Sequence, residues 1–142
     1  MTYQFGKKNL MRTFEEDLKF GKESENEILP IIKEYFKDDI KFVKYAFSTY
    51  DFKGKINKYE LKTRTNMYNT FPTTLIPESK IFYNKNIVFL FKFIDGLYYI
   101  KYDKKIFDTF DLQPFKRNER ADIVDIEKPY FFIPISNLTK IN

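Results

Sequence analysis

The sequence predicts one α/β domain over residues 1–142, with a central mixed β-sheet of four or more strands flanked by helices. Three patterns carry that prediction. Ile28, Ile31, Ile32, Tyr35 and Phe36 recur at helical spacing, Lys41 to Thr63 alternates with period two, and Ile87 to Ile94 is an almost unbroken apolar run ahead of an Asp95-Gly96 turn signal.

The helix is expected over residues 24–37. Ser24 and Glu27 have the spacing of a capping box, and Pro30 falls nearly opposite the apolar stripe, where the carbonyl it frees faces water. In the next segment Val43, Tyr45, Phe47, Thr49 and Asp51 share one face of an extended chain, bent near Ala46. A turn at residues 52–55 leads into a strand with Ile56, Lys58, Glu60 and Lys62 on one face and Tyr59 and Leu61 on the other. Pro77 is placed to open a short helix through Tyr83. Residues 87–94 then form a buried strand, Leu97 to Tyr102 its hairpin partner, and Tyr130 to Ile135 an edge strand that tolerates Pro134 at its end. Phe89 and Tyr99 are core positions.

A chain of 142 residues with 43% hydrophobic content buries roughly two thirds of its unfolded surface. Its 20% aromatic content excludes compositional disorder. With no Cys and no His, disulfides, zinc sites, thiol chemistry, Ser-His-Asp triads and imidazole shuttles are excluded. Catalysis is left to carboxylates, lysines, hydroxyls and a hard metal ion. Met1 to Met11 lacks a signal-peptide core and the longest apolar run falls far short of the ~20 residues of a membrane span, so cytoplasmic or nuclear residence without membrane association is expected. The net charge of +5 is concentrated in residues 43–85, which hold 8 basic and 3 acidic groups; a patch of that sign suits a polyanion such as nucleic acid.

Phosphodiester hydrolysis without histidine needs carboxylates to hold Mg²⁺ or Mn²⁺, and a cation to orient water or offset charge developing on phosphorus. Asp51 and Glu60, with a backbone carbonyl such as that of Leu61, meet the first need. Lys62, two residues beyond Glu60 on the same strand face, meets the second. Acid-x-Lys occurs six times in the chain, so the tripeptide means little alone; Glu60-Leu61-Lys62 is set apart by its strand, the hairpin before it, the preceding Asp and the upstream helix. A cross-strand ion network is the competing assignment for these charges.

This arrangement resembles the PD-(D/E)XK nuclease superfamily, the restriction-endonuclease-like fold of Holliday junction resolvases and many viral and phage nucleases, across about residues 21–103. Tyr50-Asp51 stands where the family has Pro-Asp, Glu60-Leu61-Lys62 where it has Glu-x-Lys, and Gly21-Lys22-Glu23-Ser24-Glu25 resembles the Gly-x-x-x-Glu of its first helix. The resemblance implies an αβββαβ core, a Mg²⁺-dependent endonuclease acting on DNA, structure-selective in action, and a homodimer. It makes Asp51, Glu60, Lys62 and Glu25 the catalytic set. Helical geometry agrees on Glu25, which falls about 40° from the centre of the apolar stripe, against about 120° for Glu27. Arg64, Lys53, Lys55, Lys58 and Lys80 would line the phosphate path, and Tyr68 and Phe71 are candidates to stack on a splayed base. The alternative is a non-catalytic nucleic-acid-binding or structural module on the same fold.

Overall fold

A computed structural model describes residues 13–43, 50–81, 86–116 and 127–142. It opens on helix α1, Phe14–Phe36, which starts nearly three turns before the expected residue 24. The capping box is Thr13 with Glu16: the Thr13 hydroxyl accepts the Glu16 N–H at 3.2 Å and the Glu16 carboxylate accepts the Thr13 N–H at 2.8 Å. Ser24, read as the cap from its spacing, is buried in mid-helix. Pro30 is exposed as its angle predicts, and α1 ends at Lys37 in the left-handed conformation (φ 52°, ψ 40°).

Strands β1 (Lys41–Phe42), β2 (Phe52–Lys53), β3 (Lys58–Thr63), β5 (Ile87–Phe93), β6 (Gly96–Lys101) and β9 (Thr139–Lys140) form a six-stranded mixed sheet in that spatial order. β3 and β5 run parallel, with Glu60 opposite Phe89 and Lys62 opposite Phe91; the other neighbours are antiparallel. Strand alternation gives the sheet two buried faces. Tyr59, Leu61, Val88, Leu90 and Leu97 pack beneath Ile28 and Ile32 of α1. On the other face Ile87, Phe89, Phe91, Tyr98 and Ile100 pack with Tyr50, Ile76, Phe107 and Ile133.

Several local expectations are corrected. The first β-hairpin turns at residues 54–57 rather than 52–55, because Asp51 precedes β2 instead of ending the strand before it. Of the predicted extended face, Tyr45, Phe47 and Thr49, with the bend at Ala46, lie outside the described residues. Between β3 and β5, where an αβββαβ core places a helix, Thr73–Pro77 forms strand β4 and Glu78–Lys80 only a single 3-10 turn; Tyr83 lies outside the described residues. The run Thr73-Thr74-Leu75-Ile76 is rich in β-branched side chains and bracketed by Pro72 and Pro77, which favours an extended segment over a helix. Flanking helices are thus few, the second being the one-turn α2, Lys104–Phe107, capped by the Asp103 carboxylate on the Lys105 N–H at 2.9 Å.

The largest departure is a second, three-stranded antiparallel sheet of order β4, β8, β7, with β7 at Asp111–Phe115 and β8 at Lys128–Pro134. Tyr130 to Ile133 therefore sits in a central strand, not an edge. The prolines do not prevent this because they lie near strand ends, Pro129 opposite Pro114 and Pro134 opposite Thr73. Ile76 and Ile133 turn one face of this small sheet onto the large one; register and alternation put Thr73, Leu75, Pro77, Tyr130 and Phe115 on the other face. Among the described residues no helix is long and apolar enough to cross a membrane.

Candidate active site

β2 pairs with β3 only at Lys58 and Tyr59, so from Glu60 onward β3 continues without β2 beside it. Asp51 stands at this break. Its N–H donates to the Tyr59 carbonyl at 3.0 Å and its carbonyl accepts the Val43 N–H at 3.1 Å, while its side chain accepts the Leu61 N–H at 2.7 Å. The carboxylate thereby takes the place of the next strand residue. In a strand the N–H and carbonyl of one residue point the same way, so the Leu61 carbonyl faces this gap too.

Glu60 is 4% exposed, and its Oε2 lies 3.3 Å from Lys62 Nζ and 3.2 Å from Lys80 Nζ. Period two brings Lys62 to Glu60; the 3-10 turn after Pro77 brings Lys80. Glu25 reaches the same place from α1, where its carboxyl group and that of Asp51 interact. Asp51, Glu60, Lys62 and Glu25 are thus gathered at the open edge of β3. Glu27, directed away from the sheet by helical geometry, nevertheless reaches Lys92 of β5 at 3.1 Å.

The electrostatics follow from this crowding. Burial pushes Asp51 up to about 6, the Leu61 N–H opposing and the Glu25 charge adding. Burial also raises Glu60, with Lys62 opposing and Asp51 adding, and raises Glu25 against the pull of Lys22. Lys62 is lowered by burial and partly restored by Glu60. These are carboxylates that burden one another, and every one is a hard oxygen donor, the kind that a hard divalent cation favours. Among the described residues no three Asp or Glu side chains are grouped as a ready metal cage. The set that fits is smaller, Asp51 and Glu60 with the Leu61 carbonyl, in keeping with Mg²⁺, which commonly takes one or two carboxylates and leaves its other positions to water and phosphate.

The remaining basic residues are placed differently from one another. Arg64 donates from Nε to Thr74 Oγ1 at 3.1 Å and from one Nη to the Leu75 carbonyl at 2.6 Å, with its guanidinium 5.6 Å over the Phe91 ring; it ties β3 to β4. Lys58 lies 5.6 Å over the Tyr50 ring, and the Tyr50 hydroxyl donates to the Lys80 carbonyl at 3.4 Å, so Tyr50 holds the Lys80 turn. Lys53 and Lys55 are exposed on the first hairpin, beside a shallow groove shared with Lys41 and Phe42.

Beside the carboxylates a cleft of about 640 Å³ is lined by Gly21 and Glu25 of α1, Leu61 to Arg64 at the end of β3, the loop through Tyr68 and Phe71, and the outer face of the small sheet at Leu75, Tyr130 and Phe115. Its wall from β7 has no signal in the sequence, because β7 is exposed along its whole length and shows no alternation; β8, expected as an edge strand at Tyr130 to Ile135, supplies the rest.

No protein-family model matches the chain, and comparison with curated proteins and with solved structures finds no significant relative.

Proposed function

We propose that the chain is a metal-dependent nuclease that hydrolyses phosphodiester bonds, in DNA foremost. The observation that supports this is the convergence of Glu25, Asp51 and Glu60 with Lys62 and Lys80 at an open strand edge beside a cleft.

Asp51, Glu60 and the Leu61 carbonyl would hold Mg²⁺ or Mn²⁺. Bound there, the ion supplies Lewis-acid polarisation of a phosphate oxygen and a water of lowered pKa. In the reaction, water oxygen bonds to phosphorus while the bond from phosphorus to one sugar oxygen breaks, leaving a phosphate monoester on one strand end and a hydroxyl on the other. Lys62, lowered by burial with Glu60 opposing, donates to the phosphate oxygens as negative charge builds on them. Glu25 adds a third carboxyl group beside Asp51. Lys80, 3.2 Å from Glu60, offsets the charge of that carboxylate and adds positive charge beside the phosphate path. The exposed Lys53 and Lys55 add diffuse attraction for the strand.

A second reading rests on the Glu60 contacts. A carboxylate already met by two ammonium groups at 3.2 and 3.3 Å is also what a structural ion network, or a nucleic-acid-binding module without chemistry, would display. Cleavage assays separate the two. Wild-type protein in Mg²⁺ or Mn²⁺ should cut DNA and Asp51→Asn should not, whereas a binding module retains DNA in a salt-dependent way and cuts nothing.

A further inference from the structure

We propose that the cleft beside the carboxylates receives one unstacked nucleobase of the substrate strand, so that single-stranded or locally splayed nucleic acid is preferred over intact duplex. This deepens the nuclease reading and rests on it for the identity of the polymer.

Size and lining both point to a base. A volume of about 640 Å³ lies within the range of about 300–1,000 Å³ usual for sites that enclose a drug-sized ligand, which leaves room for a base together with its sugar. Phe71 and Phe115, both lining the cleft, are 57% and 41% exposed, an unusual state for phenylalanine. Phe115 is propped edge-on by Tyr130 and Phe132, with ring centroids 5.7 and 6.4 Å apart, which leaves it rigid and outward. Tyr68 is fixed by its hydroxyl on the Ile135 carbonyl at 2.7 Å and by stacking on Tyr98 at 4.1 Å. The wall is therefore built before any ligand arrives. Among the polar groups of the lining, Asn66, Thr63 and Thr73 offer donors and acceptors to a base edge.

Charge sets the direction of entry. Lys62 and Glu25 line the same cleft, so a base seated there carries its own phosphodiester to the carboxylate cluster. On the helix side Gly21 has open space where a Cβ would project, and the cleft extends to the helix backbone at that point. A base can occupy such a site only after leaving its stack, which costs a few kcal/mol in duplex and little in a single strand. Stacking on an aromatic wall returns about 1–3 kcal/mol per base.

The chain has no tryptophan, so Phe71→Trp installs a single indole in the cleft wall, excited at wavelengths where the 11 tyrosines do not absorb. In Ca²⁺, to hold back chemistry, a twelve-residue oligothymidylate should quench that emission. An abasic oligonucleotide of equal length and charge should not, and a blunt duplex should bind at least tenfold more weakly than the single strand. Phe71→Ala and Phe115→Ala should each weaken single-strand binding by about 5- to 100-fold with an unchanged salt slope, since no phosphate contact is lost. Gly21→Leu, which favours the helix, should fill the cleft and have the same effect at undiminished melting temperature. Equal quenching by the abasic strand, or wild-type affinity in Phe71→Ala, Phe115→Ala and Gly21→Leu alike, overturns the base site. Cleavage in Mg²⁺ is scored separately: cutting without base-dependent quenching sinks the cleft and spares the nuclease, and base-dependent quenching without cutting does the reverse.

Discussion

The Leu61 N–H donates to the Asp51 carboxylate at 2.7 Å across the break where β2 ends and β3 continues. A strand edge would ordinarily offer that N–H to another backbone. Here a side chain accepts it, which leaves an acid group buried in the sheet margin next to Glu60 and Glu25.

The first consequence is a pH dependence. Asp51 is pushed up to about 6 by burial, against an ordinary 3.8, so the folded state holds this proton more tightly than the unfolded chain. Its contribution to stability is complete below about pH 4 and is lost as pH rises to about 6. In chelator, melting temperature should fall across that window. Asp51→Asn keeps an acceptor for Leu61 and removes the charge; it should flatten the fall and stabilise the metal-free protein at pH 7 by on the order of 3 kcal/mol. Parallel pH profiles for the two proteins would refute the assignment.

Metal should act in the opposite sense. Millimolar Mg²⁺ or Mn²⁺ relieves the repulsion between Asp51 and Glu60 and binds only the folded state, so it should raise the wild-type melting temperature at pH 7.5. Removing the metal with chelator should restore the lower value. Asp51→Asn should show little shift, and a shift equal to wild type would place the ion elsewhere.

Lys62 separates catalysis from binding. Its ammonium is 3.3 Å from Glu60 and few other cations reach this depth. Lys62→Ala should lower the cleavage rate about a hundredfold or more and leave DNA affinity in Ca²⁺ within about threefold, since affinity is spread over many phosphates. If cleavage and affinity fell together by the same factor, Lys62 would be a binding residue only.

Asp38 and Gly54 give a structural prediction of opposite pH sign. Asp38 accepts the Lys55 N–H at 2.8 Å and the Tyr59 hydroxyl at 2.9 Å, and it fills the space where a Gly54 Cβ would stand. Burial alone would raise Asp38, but donors from Lys55, Tyr59, Ile56 and Asn57 outweigh it and lower it. That stability is present above the ordinary 3.8 and lost as pH falls through the lowered value. Gly54→Ala should displace the carboxylate and cost about 1.5–3 kcal/mol, the worth of hydrogen bonds to a charged group, measured by urea denaturation. An unchanged midpoint would mean the turn adapts freely.

How much of this is legible in the sequence differs residue by residue. Glu60 and Lys62 follow from period two, and Glu25 from helical angle, because both are local geometry. The mixed sheet follows from the runs at residues 58–63 and 87–101 for the same reason. The small sheet does only in part: β8 is expected as an edge strand at Tyr130 to Ile135, but β7 is exposed at every position, so the pairing that makes β8 central is decided across the chain rather than by pattern. The same holds for Lys80 on Glu60 and Arg64 on Thr74 and Leu75. Each is set by where β4 docks, which no short window records. Asp38 gave no signal either, since its partners lie in a turn some seventeen residues on.

The central claim is hydrolysis at the Asp51 and Glu60 edge, and the direct measurement is cleavage of linear, nicked, branched and single-stranded DNA in Mg²⁺ and in Mn²⁺ by wild type beside Asp51→Asn. Metal-dependent cutting by wild type, abolished by chelator and reduced at least about a hundredfold in Asp51→Asn, is the predicted result. Wild-type protein inert on every substrate in both metals, or Asp51→Asn cutting at the wild-type rate, would contradict it.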